Sequence, residues 1–393
     1  MVKLLLIEDD QEKQSSINNY IKEVYGNIRY DIDFAETFGV AVSRIFENSY
    51  DAIIVDLLMP KRVGDEPVDI SEALVDHLRD SKKNARATII AISQHDDIAS
   101  ARRQEFNRLN AVLLPYSKPD EWRVGLKIFL EKVQSRPVTD FLIVCALEME
   151  RGAFRHVEHL GFYFGELVDF QGLNCRELRL GNLRGYCVLL PRMGLVDAAI
   201  ETSRALALFS PKLVCMSGIC AGFPQKTQLG QVIVSEICWE HQMGKWSDNK
   251  FETRLYQCPI DSSVQTVVRQ VIEADPGLSA HSEGFESIEV PRKTLALLAP
   301  TVSGSAVVNS QKKIDEILTQ HPKLCGLDME VYAVHRAVEL FGQGVRCFAA
   351  KTVVDLADGN KNDHLHREGA ILSARFSVQV IERVLSPDAV NAP

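Results

Sequence analysis

Two α/β domains joined by a short hinge are the fold that the sequence predicts, and three features lead to this prediction. The chain has 393 residues, more than the roughly 100–200 of one ordinary domain. Short apolar runs alternate with helical patterns, which is typical of a doubly wound parallel sheet. All nine cysteines lie from Cys145 onward, so the two halves of the chain differ in composition.

The predicted elements follow in order along the chain. Strands are predicted at the apolar runs 2–7, 51–57, 87–93, 111–118 and 141–147, and helices at 11–25, 73–80, 120–133 and about 367–385. Pro137 and the polar residues around it break this alternation, as linkers do. We therefore predict domains at 1–134 and 141–386, a linker at 135–140 and a frayed tail at 387–393.

Composition and charge exclude several classes of protein. Hydrophobic residues make up 46% of the chain and charged residues 25%, which excludes a mainly disordered protein. No apolar run reaches the roughly 18 residues that span a bilayer, and the N-terminus turns acidic at Glu8, unlike a signal peptide. The net charge of −9 lacks the basic excess of a nucleic-acid-binding protein. With cysteines that form no C-x-x-C pair, these features predict a cytoplasmic protein with reduced thiols and no nucleic-acid or membrane partner.

Acidic and basic side chains end the strands of the first half. Functional groups collect at the carboxyl ends of parallel strands. Acids that converge there repel each other unless a cation lies among them, and oxygen ligands favour Mg²⁺. A lysine and a hydroxyl at the same edge could hold a phosphoryl group on a carboxylate. Any one of these residues alone is more often a helix cap, but they occur together and in strand order: Glu8, Asp9, Asp10, Asp56, Ser93 and Lys118.

The segments LLIEDD, IIVDLLMP, AIS and YSKP resemble the response-regulator receiver family over 1–134. The resemblance implies a flavodoxin-like domain with a parallel sheet. It implies that Asp56 accepts a phosphoryl group from an upstream histidine kinase or phosphotransfer protein, and that Glu8 and Asp9 hold Mg²⁺ with it. Ser93 and Lys118 would be the switch residues.

One position departs from the receiver pattern. Pro115 stands where the family has its switch aromatic residue, and Tyr116 follows one place later. The phosphorylation chemistry is therefore expected to carry over, whereas the coupling to an output is left open.

Four segments of the second half carry candidate chemistry: CALEMERGAF, MSGICAGF, GLDMEVYAV and AAKTVVDLAD. Each has an ordinary interpretation by itself, as a glycine-rich turn, a helix start or a helix cap. Together, and in this order, they resemble the purine nucleoside phosphorylase and nucleosidase superfamily over about 140–386. The hydrolytic branch, typified by methylthioadenosine/S-adenosylhomocysteine nucleosidases, is the nearer match.

This second resemblance implies a nucleoside phosphorylase-like α/β domain with a mixed sheet, no cofactor and a homo-oligomeric assembly. Glu150 is expected to activate water and Asp355 to donate a proton to the purine N7. The expected substrate-binding residues of the ribose and purine sites are Gly218, Gly222, Val307, Val308, Met329 and Glu330. Val354 stands where the superfamily often has a serine.

Basic residues near the expected site bear on the identity of the substrate. Arg192 and Lys351 lie beside ligand-facing segments, where cations would suit a 5′-phosphorylated substrate. The alternative interpretation of each is solvated surface charge.

The combination of the two domains resembles the effector proteins of bacterial two-component phage-defence systems. It implies a phosphorylation-regulated purine nucleosidase that hydrolyses the N-glycosidic bond of an adenine nucleotide, ATP in particular, and gives adenine and ribose 5′-triphosphate. One alternative is a methylthioadenosine/S-adenosylhomocysteine-type nucleosidase or a purine nucleoside phosphorylase. A second is a non-catalytic purine-sensing module, against which the acids Glu150, Glu330 and Asp355 argue.

Overall fold

The computed structural model describes residues 2–26, 30–81, 83–84, 87–94, 111–134, 139–248, 250–254, 256–275, 296–357 and 365–386. The chain divides into two compact units, Met1–Pro137 and Val138–Pro393. This division falls within the segment predicted as a linker, of which 135–138 lie outside the described residues. The predicted tail 387–393 lies outside them as well.

The N-terminal unit contains a parallel sheet with helices along it. Its elements in the described ranges are β1 (Val2–Ile7), α1 (Gln11–Tyr25), β2 (Tyr30–Ala35), α2 (Phe38–Glu47), β3 (Ala52–Val55), β4 (Leu58–Met59), β5 (Val68–Asp69), α3 (Ser71–Asp80), β6 (Thr88–Ser93), β7 (Val112–Pro115) and α4 (Pro119–Gln134). The strand order is β2-β1-β3-β6-β7, with every neighbouring pair parallel. The predicted parallel α/β fold is therefore confirmed.

Helix α1 is positioned by its cap and by its apolar spacing. The Asp10 side chain accepts hydrogen bonds from the amides of Glu12 and Lys13, which satisfies donors of the first turn. The buried residues of the helix are Lys13, Ile17 and Ile21, four positions apart, so they share one face. Lys13 therefore lies on the same inward side as the two isoleucines.

The C-terminal unit contains a larger, mixed sheet. Its described strands are β8 (Phe141–Cys145), β9 (Phe162–Phe170), β10 (Leu173–Leu180), β11 (Leu183–Leu189), β12 (Leu213–Gly222), β13 (Val232–Glu240), β14 (Gly244–Ser247), β15 (Lys250–Thr253), β16 (Cys258–Pro259), β17 (Ala296–Ser303), β18 (Gly326–Asp328) and β19 (Arg346–Asp355). The order is β16-β13-β17-β18-β12-β8-β11-β10-β9, with β19 paired to both β12 and β13, and β14-β15 form a separate hairpin. Parallel and antiparallel pairs both occur, which confirms the predicted mixed sheet.

Helices cover both faces of this sheet. They are α5 (Glu148–Gly152), a 3₁₀ segment (Ala153–Leu160), α6 (Leu195–Phe209), α7 (Ser262–Ala274), α8 (Gln311–Leu318), α9 (Val331–Phe341) and α10 (His366–Leu385). In β8, Phe141 and Ile143 pack in the cluster that includes α7 and α10, whereas Leu142 and Val144 pack in the one that includes α6 and α9. A strand buried on both faces explains why 141–147 is an unbroken apolar run.

Parallel pairing brings the ends of three strands together. Strand β12 pairs in parallel with β8 on one side and with β19 on the other. Gly218 lies opposite Lys351, and an irregularity after Cys220 then sets Ala221 opposite Asp355. The carboxyl ends of β8, β12 and β19 therefore meet at one edge, where ligands of α/β sheets usually bind.

Two further observations bear on the expectations from composition. All the cysteines lie within the described ranges, where they are free and buried. No helix in those ranges has the length and apolar character that crossing a bilayer requires.

Candidate active site

A cavity of about 360 Å³ opens where β8, β12 and β19 end. This volume is within the usual range for small-molecule sites. Its charged and polar lining consists of Glu150, Asp328, Glu330, Lys351, Asp355, Asn309 and His366, and the rest is mainly apolar. The cavity therefore combines an apolar surface with a small set of acids.

Glu150 is held rigidly at the start of α5. Its Oε2 accepts hydrogen bonds of 2.9 Å from the amides of Ala146 and Leu147, and its Oε1 accepts one of 2.9 Å from the amide of Ile219. Burial raises the pKa of the Glu150 carboxyl, and the nearby Glu330 adds to the rise, while Lys351 and the amides oppose it. A carboxylate oxygen has two lone pairs, so Oε1 keeps one for a further donor such as water.

Gly218 makes room for this carboxylate. A Cβ at position 218 would lie 2.0 Å from Glu150 Oε1 and 2.4 Å from its carboxyl carbon. Contacts below about 3 Å do not occur between such atoms without movement. Gly218 is predicted as a substrate-binding residue, but it is absent from the lining of the cavity and lies behind Glu150.

A buried lysine and two acids form another part of the cavity lining. The Lys351 ammonium lies 2.9 Å from Asp328 Oδ2 and 2.9 Å from Glu330 Oε2. Burial alone would lower the pKa of Lys351, but the carboxylates of Asp328, Glu330 and Glu150 outweigh it, so that its pKa lies well above its usual value. Lys351 is therefore charged and neutralised by protein carboxylates.

Glu330 is oriented by this lysine and by a backbone amide. Its Oε1 accepts a hydrogen bond of 3.0 Å from the amide of Gly194, and its Oε2 takes the Lys351 ammonium. One lone pair on each oxygen remains, which suits a pair of neighbouring hydroxyl donors. Asp328 is fixed in turn by Ser303 Oγ and by the amide of Val331.

Asp355 lies at the end of β19, half-buried at the rim of the cavity. Its Oδ1 accepts a hydrogen bond of 2.9 Å from the amide of Ala357. Met329, Val307 and Val308 line the same cavity, with Val307 59% exposed. The predicted residues Glu150, Met329, Glu330, Lys351 and Asp355 are thus brought together around one space.

Two more predicted residues lie outside the lining of this cavity. Gly222 is one of them, and a Cβ at its position would meet Thr227 and Val353. Arg192 lines a second cavity of about 500 Å³, which shares Ala146, Leu147 and Met193 with the first.

Asp328 and His366 line the cavity but are absent from the predicted set. In the sequence Asp328 directly precedes Met329 and Glu330, which are both predicted site residues. His366 ends the sequence HLH at 364–366, and polar residues of this kind are common at the start of any helix. Only the structure, which places His366 in the cavity lining, identifies it as a site residue.

The acidic cluster of the N-terminal unit contains Lys13, which is not among the predicted site residues. The Lys13 ammonium contacts Asp56 Oδ2 and lies 2.8 Å from Glu8 Oε2. Lys13 and Glu8 are each 1% exposed and Asp56 is 7% exposed. Burial raises the pKa of Glu8 to about 7, with Lys13 opposing the rise and Asp56 adding to it.

With Lys13 in this position the cluster does not fit Mg²⁺. The ammonium lies between Glu8 and Asp56, where a bridging cation would otherwise lie, and two cations side by side would repel each other. Within the described ranges, no group of three or more His, Cys, Asp or Glu is arranged to hold a metal ion. Asp9, the third predicted ligand, is half-buried, and burial raises the pKa of its carboxyl.

The predicted switch residues lie at neighbouring strand ends. Ser93 is buried at the end of β6, opposite Pro115 of β7. The Lys118 ammonium lies 2.9 Å from Glu121 Oε1, and its side chain is 58% exposed. Tyr116 stacks on Trp122.

Comparison with known proteins connects the C-terminal unit to nucleosidases. The protein y4jS of Sinorhizobium fredii (strain NBRC 101917 / NGR234) is 28% identical, over 98% of this chain and 100% of its own length. ATP nucleosidase Cap17 of Escherichia coli (strain KTE188) is 25% identical over 61% of this chain, a match that spans only 50% of Cap17.

Solved structures share the fold of the C-terminal part of this chain. A crystal structure of 5′-methylthioadenosine/S-adenosylhomocysteine nucleosidase from Helicobacter pylori matches with a TM-score of 0.51 at 17% identity, covering 63% of this chain and 99% of that one. Residues 140–386, more than half of the chain, match the model of the phosphorylase superfamily. The chain therefore belongs to the phosphorylase superfamily.

Proposed function

We propose that the C-terminal unit is a purine nucleosidase that hydrolyses the N-glycosidic bond of an adenine nucleotide, with ATP as its substrate. The observation that carries this proposal is the Glu150 carboxylate, fixed by three backbone amides at the wall of a cavity that it shares with Glu330 and Asp355. The products would be adenine and ribose 5′-triphosphate.

Glu150 would act as the general base. Breaking the glycosidic bond leaves positive charge on the sugar, and water must lose a proton as its oxygen bonds to the anomeric carbon. A carboxylate whose pKa is raised by burial is a better proton acceptor than an ordinary one. Each general acid or base of this kind typically contributes about 10²–10⁴-fold to the rate.

Asp355 and Glu330 would act on the two ends of the nucleoside. The electron pair of the broken bond goes to the purine, and Asp355 would donate a proton to N7 so that the base leaves neutral. Glu330 would accept hydrogen bonds from the ribose hydroxyls through the lone pairs that Gly194 and Lys351 leave free. Met329 and Val308 would pack against the sugar and the purine.

The choice of a nucleotide rests on two supports. One is the similarity, over 61% of this chain, to a protein named ATP nucleosidase. The other is the second cavity, which adjoins the first through Ala146, Leu147 and Met193 and is lined by Arg192, a donor that suits phosphate oxygens.

A panel of purine substrates tests this function. We would incubate the protein with adenosine, AMP, ATP and methylthioadenosine in phosphate-free buffer and follow free adenine by chromatography. Release from ATP supports the proposal. Release only after phosphate is added would make the protein a phosphorylase, and release from methylthioadenosine alone would make it a methylthioadenosine-type nucleosidase. A panel with binding but no release would favour the purine-sensing alternative.

The N-terminal unit is proposed to be a response-regulator receiver that controls this activity. Its support is the parallel sheet, with Asp56 at the end of β3 and Ser93 at the end of β6. An upstream histidine kinase or phosphotransfer protein would phosphorylate Asp56, and the phosphorylated form would be the active one. An enzyme that removes adenine from ATP must be held inactive in a healthy cell, which fits an effector of a two-component antiphage defence.

Phosphorylation and its effect are measured separately. The protein is treated with acetyl phosphate and analysed by intact mass, beside Asp56→Ala, and the adenine release of both is then compared. A mass increase in wild type alone supports the phosphoacceptor, and equal labelling of the two proteins contradicts it. Equal rates before and after phosphorylation would contradict the control and leave the nucleosidase untouched.

A homo-oligomer is proposed on the basis of exposed apolar side chains beside the cavities. Met193, Val196 and Ile200 are 51%, 69% and 52% exposed, and the last two share one face of α6. Solvent-exposed apolar groups in such a row favour burial against another copy. Light scattering of wild type and of Ile200→Asp tests this: a monomeric wild type would contradict it.

A further inference from the structure

Lys13 occupies the centre of the acidic cluster in the N-terminal unit. Its ammonium contacts Asp56 and lies 2.8 Å from Glu8, and its side chain is 1% exposed. Lysine is almost never fully buried unless it is paired. Here it is paired with two acids, so the cluster already contains a cation that the chain supplies.

The fold fixes the position of the Lys13 side chain. It lies in the first turns of α1, on the buried face that Ile17 and Ile21 also share. The amide of Lys13 is itself held by the Asp10 side chain at 3.1 Å. The ammonium also lies 5.4 Å from the centre of the Tyr116 ring, a contact that favours a cation.

Both carboxylate oxygens of Asp56 already accept a hydrogen bond. Oδ1 accepts a hydrogen bond of 2.6 Å from the amide of Leu57, and Oδ2 contacts the ammonium. For Glu8, Oε1 accepts from the amide of Asp10 at 3.1 Å, and Oε2 faces the same ammonium. A divalent ion that bridged Glu8 and Asp56 would have to compete for the two oxygens that Lys13 contacts.

We propose that Lys13 is a built-in counter-ion that excludes divalent cations from the Glu8–Asp56 site while α1 holds it there. A cation enters only when the ammonium withdraws. This inference builds on the proposed receiver role, because it adds a gate to the site where Asp56 would react. It predicts that the chain binds Mg²⁺ weakly, and that removing the ammonium alone creates strong binding.

The experiment is a titration of the full chain with Mg²⁺ by isothermal calorimetry. Wild type is compared with Lys13→Met and with Lys22→Met, an exposed lysine of the same helix. Both variants change the net charge equally, so only a local effect separates them. We expect Lys13→Met to bind Mg²⁺ at least about tenfold more tightly than wild type, because two unpaired carboxylates then face each other, and Lys22→Met to resemble wild type.

Two additional variants keep the test decisive. Lys13→Gln retains most of the side-chain length without its charge and replaces Lys13→Met if thermal unfolding shows that Lys13→Met does not fold. Asp56→Asn in the Lys13→Met background should remove the gained binding, which locates it at the cluster.

The contradicting outcomes separate this inference from the receiver proposal. Equal and tight binding by wild type and Lys13→Met would overturn the exclusion by Lys13, while the cluster would stand as a cation site. Binding by neither protein would overturn the inference too, because removal of the ammonium would not open the site. That second outcome would also count against Asp56 reacting with the help of a divalent cation.

Discussion

Gly218 and Glu150 are matched to each other: a Cβ at position 218 would lie 2.0 Å from Glu150 Oε1. Gly218 belongs to β12, where it pairs with Lys351 of β19. This pairing holds the Gly218 backbone in place, so it cannot move away from the Glu150 carboxylate. The lack of a side chain at this position therefore lets the carboxylate reach the amide of Ile219 and the cavity.

Gly218→Ala should displace Glu150 and lower adenine release by at least about 100-fold, the contribution of a general base. Gly152→Ala is the matched control, because a Cβ there meets nothing within 4 Å. Initial rates and thermal unfolding are measured for both. Near-normal turnover of Gly218→Ala would mean that Glu150 does not need its observed position.

Lys351→Met should destabilise the C-terminal unit by about 3–5 kcal/mol, because it leaves buried carboxylates without their cation. Asp328 and Glu330 are 8% and 3% exposed, so water compensates little. Lys212→Met removes an ion pair with Asp140 at the surface, where the Lys212 side chain is 64% exposed. This variant should lose less than about 1 kcal/mol of unfolding free energy. Denaturant unfolding of both variants tests this, and equal costs would contradict the buried pairing.

His366→Ala should raise the KM for ATP about tenfold, which is the effect of losing one hydrogen bond to a charged group. The KM for adenosine, which has no phosphate, should change little. Lys351 and His366 are basic residues of the main cavity's described lining, and Lys351 is already neutralised. The prediction rests on the place of the His366 imidazole in this lining, where a ring N–H can donate to a phosphate oxygen. Steady-state kinetics with both substrates measure the difference, and an equal change for both would contradict a phosphate contact.

His335 should make stability depend on pH. Burial lowers its pKa from 6.5 to about 4, against the opposing effect of Asp328 and Glu339. The unfolded chain takes up this proton below about pH 6.5 and the folded chain only below about pH 4, so the stability is complete above that window and is lost as the pH falls through it. The free energy of unfolding should fall by about 2 kcal/mol from this group between about pH 8 and pH 5.

His335→Leu is the comparison for this pH effect. The unfolding free energy of His335→Leu should fall less than that of wild type between about pH 8 and pH 5. This difference between two pH values does not depend on how the substitution changes packing. Denaturant titrations at the two pH values give the four free energies that are needed. Parallel pH profiles of the two proteins would show that His335 is not the group responsible.

The strands that could be predicted are those whose apolar residues form short runs in the sequence. Phe141–Cys145 is a continuous apolar run, and residues 4–7 form one within Val2–Ile7, because helices cover both sides of their sheets. Tyr30–Ala35 was not predicted, because Asp31 and Asp33 interrupt its apolar residues. It is an edge strand, where acidic side chains reach water.

The site shows a similar division. Glu150, Glu330 and Asp355 could be chosen because each stands in a short motif at a strand end. The pairing of Lys351 with Asp328 could not, since it depends on β18 and β19 both lying beside β12. Lys13 is not predicted because a helical lysine is usually exposed. The signal that points to it is its spacing of four from Ile17, which is itself four from Ile21, and which places Lys13 on the buried face.

Glu150 is proposed to activate water for cleavage of a nucleotide. The most direct measurement is adenine release from ATP in phosphate-free buffer by the phosphorylated protein, with Glu150→Gln as the only change. We expect release by wild type and a loss of at least about 100-fold in the variant, with unchanged thermal unfolding. Near-wild-type release by a folded Glu150→Gln, or no release by wild type until phosphate is added, would contradict it.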